Sequence, residues 1–179
     1  GAPLGVGLGP RAVTHVVGVS KAYATRVGNG PFPSEMPEAE AARLREAGEE
    51  YGATTGRRRR CGWLDLPALR YAVRVNGLDE LIVTKLDVLD SFEEIRVVVG
   101  YTLNGKAVDG FPANARTLEG CVPQFKSFAG WRSPTTGARR WEDLPPQARA
   151  YLDWVERESG VRIGRISVGA GRDQEIIRG

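Results

Sequence analysis

Residues Glu50 to Asp65 read EYGATTGRRRRCGWLD, and their types and spacing suit the binding of anions. Gly52 and Gly56 allow a sharply turned loop. Thr54 and Thr55 bring hydroxyl and backbone donors, and the guanidinium forks of Arg57 to Arg60 grip carboxylates and phosphates through paired hydrogen bonds. Four like charges in a row repel one another, so the loop is expected to be loose until an anion orders it. A basic patch for localisation or nucleic acid is the other reading of such a run. The arginines lie directly before CGWLDLPALR, however, a well-punctuated helix start and not a polar tail. That context favours a ligand loop.

Thr84 to Asp87, TKLD, is the second informative stretch. It follows an apolar, strand-like LIV, and ligands of α/β sheets bind at strand ends. A carboxylate there can accept two hydrogen bonds from the N–H edge of guanine, an edge on which adenine differs. The aliphatic stem of Lys85 can lie along such a ring. Leaving that carboxylate buried and unpaired costs about 1–3 kcal/mol, which makes the choice of base steep. A capping Asp beside a surface Lys is the plainer reading of this tetrapeptide alone. In RISVGAG (Arg165 to Gly171), Ser167 and Gly169 are small enough for a base or sugar to pack against backbone, although a simple turn accounts for them equally well.

The totals limit what these groups can do. Of 179 residues, 41% are hydrophobic and 26% charged, as in ordinary soluble domains. The net charge of +3 comes from 25 basic and 22 acidic residues; without Arg57–Arg60 the balance would be 21 against 22. Basic character is thus confined to one place, which argues against a broad nucleic-acid face. Cys61 and Cys121, far apart, form neither a disulfide framework nor a metal cluster and fit a reducing cytosol. His15, the only histidine, stands among valines and reads as structural. No signal peptide or apolar run of spanning length occurs. The opening GAPLGVGLGPRAV has no initiator Met and starts within a glycine-rich run, so the chain is expected to be a segment of a longer one.

The elements that must position these residues follow from local signals. Residues 1–10 read as a Gly/Pro loop. Val13, Val16 and Val17 recur at helical spacing, which predicts a helix over 11–20, and Lys21 to Val27 alternates like a strand before Gly28 to Pro33 breaks regular structure. A short exposed helix is predicted from Glu38, ending near Gly48. Asp65 caps the next helix, Pro67 suits its first turn, Leu66, Leu69 and Val73 share a face, and Gly77 closes it. A buried-type strand is expected over Leu81–Thr84, and a hairpin about Asn104-Gly105. Residues 109–144 read as irregular. Pro145 to Ser159 returns to a helix, and strand, glycine turn, strand ends the chain. Mixed α and β in one domain or part-domain is the result.

Read together, KAYATRVGNGPFPSE, YGATTGRRRRCGWLD, LRYAVRVNGL, TKLDVLD, GWR and ISVG…RDQ resemble, in order and spacing, the adenylosuccinate synthetase family, over nearly the whole chain and only its C-terminal part. The resemblance implies an α/β fold, part of a large, mostly parallel mixed sheet with flanking helices, P-loop-NTPase-like in kind, with residues 1–179 the C-terminal portion of a single domain. It implies GTP- and magnesium-dependent coupling of IMP to L-aspartate in purine nucleotide synthesis. By that resemblance Ala53, Thr54, Thr55, Gly56, Arg57 and Arg58 would hold L-aspartate, with Arg57 also reaching IMP and Val27 lining its ribose. Arg59 would face GTP, and Lys85, Leu86, Asp87, Ser167, Val168 and Gly169 would hold guanine. The family's phosphate loop, catalytic Asp and His and magnesium ligand would precede Gly1, so the isolated chain is expected to be inactive. His15 does not match that catalytic His. Ser34-Glu35-Met36 stands for the more usual Thr-Glu-Leu, and Ala170 for a frequent Pro. A cytoplasmic homodimer binding neither nucleic acid nor membrane is implied. The alternative is a non-catalytic module that uses Arg57–Arg60 on phosphates or nucleic acid.

Overall fold

The computed structural model describes residues 1–112 and 114–178. In chain order these form α1 (Ala2–Gly5), a 3-10 turn (Pro10–Ala12), β1 (Val17–Lys21), β2 (Ala24–Arg26), α2 (Glu38–Ala47), β3 (Arg60–Gly62), β4 (Leu64–Asp65), α3 (Leu66–Asn76) and β5 (Glu80–Thr84). A 3-10 turn (Asp87–Leu89), β6 (Glu94–Leu103), β7 (Lys106–Val108), α4 (Ala115–Glu119) and β8 (Val122–Ala129) follow. The described chain ends with a 3-10 turn (Trp141–Asp143), α5 (Pro146–Ser159), β9 (Arg162–Ser167) and β10 (Glu175–Ile177).

The sheet that matters for the site has the order β1-β5-β9-β10, parallel except for its β9–β10 edge. Its strands present Leu81, Val83, Ile163 and Ile166 to the core, where Ala148, Tyr151, Leu152 and Val155 of α5 are also buried. α5 packs on β9 and α3, and the Tyr151 hydroxyl donates to the carbonyl of Ala22, which ties the helix to the turn after β1. Because β5 and β9 run parallel and side by side, both deliver their C-terminal residues to the same end of the sheet. A second sheet joins β4 and β8 to β6, with β7 as hairpin partner, and β2 pairs with β3 alone. No helix among the described residues is long and apolar enough to cross a membrane.

Local chemistry accounts for the helices as expected. The Asp65 carboxylate accepts from the Ala68 N–H at the start of α3, and Gly77 ends it at φ 59, a left-handed conformation that costs glycine little. Asn104 (φ 52) and Gly105 (φ 76) make the predicted hairpin turn.

Four expectations change. The helix predicted over 11–20 is instead a 3-10 turn followed by β1; pairing of Val17–Lys21 with β5 overrides valine spacing that imitates a helix. The strand read over 21–27 divides, Lys21 ending β1 and Ala24–Arg26 forming β2. The irregular 109–144 contains α4 and β8, whose ladder runs the length of β6. Residues 1–10, read as loop, include α1. His15 is exposed, 3.8 Å from an Asp79 oxygen and 3.7 Å from one of Glu80.

Candidate functional site

The arginine run is built as a small hairpin. The Gly56 N–H donates to the Gly52 carbonyl (2.8 Å), Gly52 N–H to the Arg57 carbonyl (2.8 Å), and Arg59 N–H to the Glu50 carbonyl (3.0 Å). A β-bridge links Tyr51 and Arg58, and the Thr55 hydroxyl accepts from Arg57 N–H. The expected loose loop is therefore braced by its own backbone. Its four arginines are not equivalent. Arg60 grips Glu35 through two bonds of 2.7 and 2.6 Å and reaches the carbonyls of Gly28 and Gly30. Arg59 donates to Glu50 at 2.7 Å. Arg57 and Arg58 are exposed and have no acidic partner among the described residues. Two guanidinium forks are thus wholly available to an external anion, while Arg59 keeps part of its side chain exposed.

Glu50 is the centre of the arrangement. Its carboxylate is fully buried. Oε1 accepts from Lys21 Nζ (2.6 Å), the Tyr23 hydroxyl (2.6 Å) and Lys85 Nζ (3.1 Å), and Oε2 from Arg59. Burial alone would push Glu50 upward, but the hydrogen bonds from Lys21, Tyr23, Arg59 and Lys85 outweigh it and hold the group at about 2. Burial and the Glu50 bond push Tyr23 far above the ordinary phenol range. The sign for stability is clear. A group held at about 2 when folded and near 4.5 when unfolded contributes fully above about 4.5, and loses about 3 kcal/mol as pH falls to about 2. Urea unfolding at stepped pH is expected to show this loss in the parent and a shallower slope in Glu50→Gln; equal slopes would refute it.

The predicted guanine residues converge where β5 and β9 end. Lys85, Asp87 and Gly169 line a recess of about 250 Å³ together with Ala47, Gly48, Glu49, Val88 and Ala170. The Leu86 N–H donates to the Ser167 carbonyl (3.2 Å), which joins the two strand ends. Lys85 has φ 58, a conformation uncommon outside glycine. Its ammonium reaches the Gly48 carbonyl (2.5 Å) as well as Glu50. Asp87 Oδ1 is buried with no hydrogen-bond partner among the described residues, and burial raises the carboxyl above its ordinary value. Such an atom is rare in a folded chain and is free to accept a donor from a ligand.

Not every sequence-predicted residue faces open space. The side chains of Leu86 and Val168 are fully buried, so either one could meet a ligand only through its backbone. The Ser167 hydroxyl donates to the Gly169 carbonyl (2.9 Å). Ala53 to Arg58 form the exposed hairpin tip. Val27 is exposed just beyond the Arg26–Arg60 register pair, apart from the recess. Glu50 was missed, as was the part of Lys21. The available signal was three cations, Lys21, Arg59 and Lys85, bracketing motifs with no acid assigned to them.

Fold and site together define an α/β protein in which a cationic hairpin and a recess with a carboxylate oxygen left unpaired among the described residues meet at the strand ends of a mostly parallel sheet. The chain belongs to the adenylosuccinate synthetase family, whose model matches residues 1–176. It is 52% identical over 176 residues to the adenylosuccinate synthetase of Anaeromyxobacter sp. (strain K), covering 98% of this chain and 41% of that protein. It is 48% identical over 174 residues to the one from Schizosaccharomyces japonicus, covering 97% of this chain and 40% of that protein. The solved structure of fully ligated adenylosuccinate synthetase from Plasmodium falciparum superposes with a TM-score of 0.95 at 36% identity, over 99% of this chain and 43% of that one. The chain therefore spans about two fifths of the length of the relatives it matches.

Proposed function

We propose that this chain is the aspartate- and guanine-recognising part of an adenylosuccinate synthetase, which ligates IMP and L-aspartate at the expense of GTP. The observation that carries the reading is the meeting of Lys85, Asp87 and Gly169 on one recess where Asp87 Oδ1 is buried without a partner among the described residues. There Asp87 accepts from the N–H edge of guanine. The Lys85 stem, with its ammonium held at Gly48 and Glu50, covers the ring. Backbone at Leu86, Ser167, Val168 and Gly169 completes the wall.

Arg57 and Arg58, the two exposed forks, take the carboxylates of L-aspartate with Ala53, Thr54, Thr55 and Gly56. Arg57 also faces IMP, whose ribose Val27 lines, and Arg59 faces GTP. In the reaction GTP phosphorylates the purine 6-oxygen. The aspartate amine then forms the new C–N bond as phosphate leaves with that oxygen. Holding the amine and the activated purine in register is the contribution expected of this loop.

Among the described residues no group of three His, Cys, Asp or Glu side chains stands close enough to hold a metal. This reading takes magnesium as the ion that accompanies GTP, with its protein ligands expected in the family's N-terminal part. The same reading takes residues 1–179 as the C-terminal portion of a single-domain, homodimeric, cytoplasmic enzyme. The competing reading, a phosphate or nucleic-acid module using Arg57–Arg60, is disfavoured by the internal pairing of Arg59 and Arg60.

Titration with GDP and with ADP, followed by backbone amide NMR, tests the reading. Shifts at residues 85–88 and 167–170 are expected with GDP, at an affinity at least about tenfold above that for ADP. Equal response to both nucleotides would favour plain phosphate binding instead.

A further inference from the structure

We propose that Glu50 is a positioning residue that couples the two ligand-binding regions, setting Arg59 at the root of the cationic hairpin and Lys85 over the recess through one buried carboxylate. The inference rests on the guanine-and-aspartate reading above and adds to it a residue that touches neither ligand.

The two oxygens divide the work. Oε2 takes Arg59 (2.7 Å), and Oε1 takes Lys85 (3.1 Å) with Lys21 (2.6 Å) and Tyr23 (2.6 Å). The backbone that carries this carboxylate is held from both sides. Glu50 N–H donates to the Arg45 carbonyl at the end of α2 (2.9 Å), and the Glu50 carbonyl receives Arg59 N–H (3.0 Å). Arg59 and Lys85 are thus joined through one fully buried side chain.

Charge counting points the same way. Lys21, Arg59 and Lys85 set three positive charges against one buried carboxylate, which is more than a structural ion pair requires. A buried ion pair is in itself weak grounds for stability. The three cations keep 26%, 30% and 38% of their side chains exposed while Glu50 keeps none. Their outer faces remain open to an anion. The carboxylate holds the cations together when no ligand is bound, so that the ligand meets a site already arranged.

Kinetics of the full-length enzyme carrying this segment test the proposal. Glu50→Gln removes the charge at constant volume and leaves Lys21, Arg59 and Lys85 to repel one another. It is expected to raise the KM for GTP and the KM for L-aspartate together, each by about tenfold, with a smaller change in kcat. A folded Glu50→Gln enzyme with both constants within about twofold of the parent, or with only one of them raised, would overturn the coupling. Should Glu50→Gln fail to fold, Tyr23→Phe removes one donor to Oε1 and keeps the ring and the charge. Joint rises of about threefold are then expected, and unchanged constants would overturn the proposal. A parent enzyme that does not prefer GTP to ATP would overturn the underlying reading instead, so the two failures are distinct.

Discussion

Asp87→Asn in the full-length enzyme is expected to raise the KM for GTP about a hundredfold or more while the KM for IMP stays within about threefold. The Oδ1 of Asp87 is orphaned, buried beside the recess with no donor among the described residues. A carboxylate at that point offers acceptors only, matching two N–H groups on one edge of guanine. Asparagine replaces one acceptor by an NH₂ group, which faces a donor of the base and cannot bond to it. Since the alternative partner is a desolvated mismatch and not water, the loss is that of an unsatisfied buried pair. Replacing a carboxylate whose Oδ1 is buried without a partner among the described residues should not harm the fold, so an intact enzyme with a selective GTP defect is the outcome that fits. Equal weakening of GTP and IMP would refute the guanine assignment.

The second large effect is expected at Arg57. Its side chain is exposed and has no acidic partner among the described residues, so Arg57→Leu should cost little stability. What it removes is a charge-assisted, two-pronged grip on a carboxylate, worth about 1.5–3 kcal/mol. The KM for L-aspartate should rise about thirtyfold to a hundredfold, measured at saturating GTP and IMP. An aspartate saturation curve that superposes on the parent's would take Arg57 out of the aspartate site.

What was legible in the sequence is what local chemistry decides. Asp65, Pro67 and Gly77 bound α3 because caps and turn residues act within a few positions. Asn104-Gly105 marks its hairpin for the same reason. β1 was hidden because Val13, Val16 and Val17 mimic a helical stripe, and only pairing with β5, some sixty residues on, decides the matter. β8 was hidden because its side chains are mostly exposed, Gln124 and Lys126 among them; what holds it is a backbone ladder with β6 that leaves no apolar alternation. In the site, Lys85, Asp87 and Gly169 could be found because each has the right chemistry at the end of a recognisable strand. Glu50 could not. One glutamate among 22 acidic residues, next to a helix that reads as exposed but buries Ala41, Leu44 and Arg45, looks solvated until the fold brings three cations and a phenol to it.

The left-handed backbone of Lys85 bears on how this protein can be altered. Glycine at that position would relieve about 1 kcal/mol of conformational cost, which taken alone would mark it for redesign. The same change deletes the ammonium that reaches Gly48 and Glu50, and with it the stem that spans the recess. At residue 85 the backbone favours glycine and the part-buried contacts of the ammonium favour lysine, so the left-handed conformation is kept at a cost that its two partners offset.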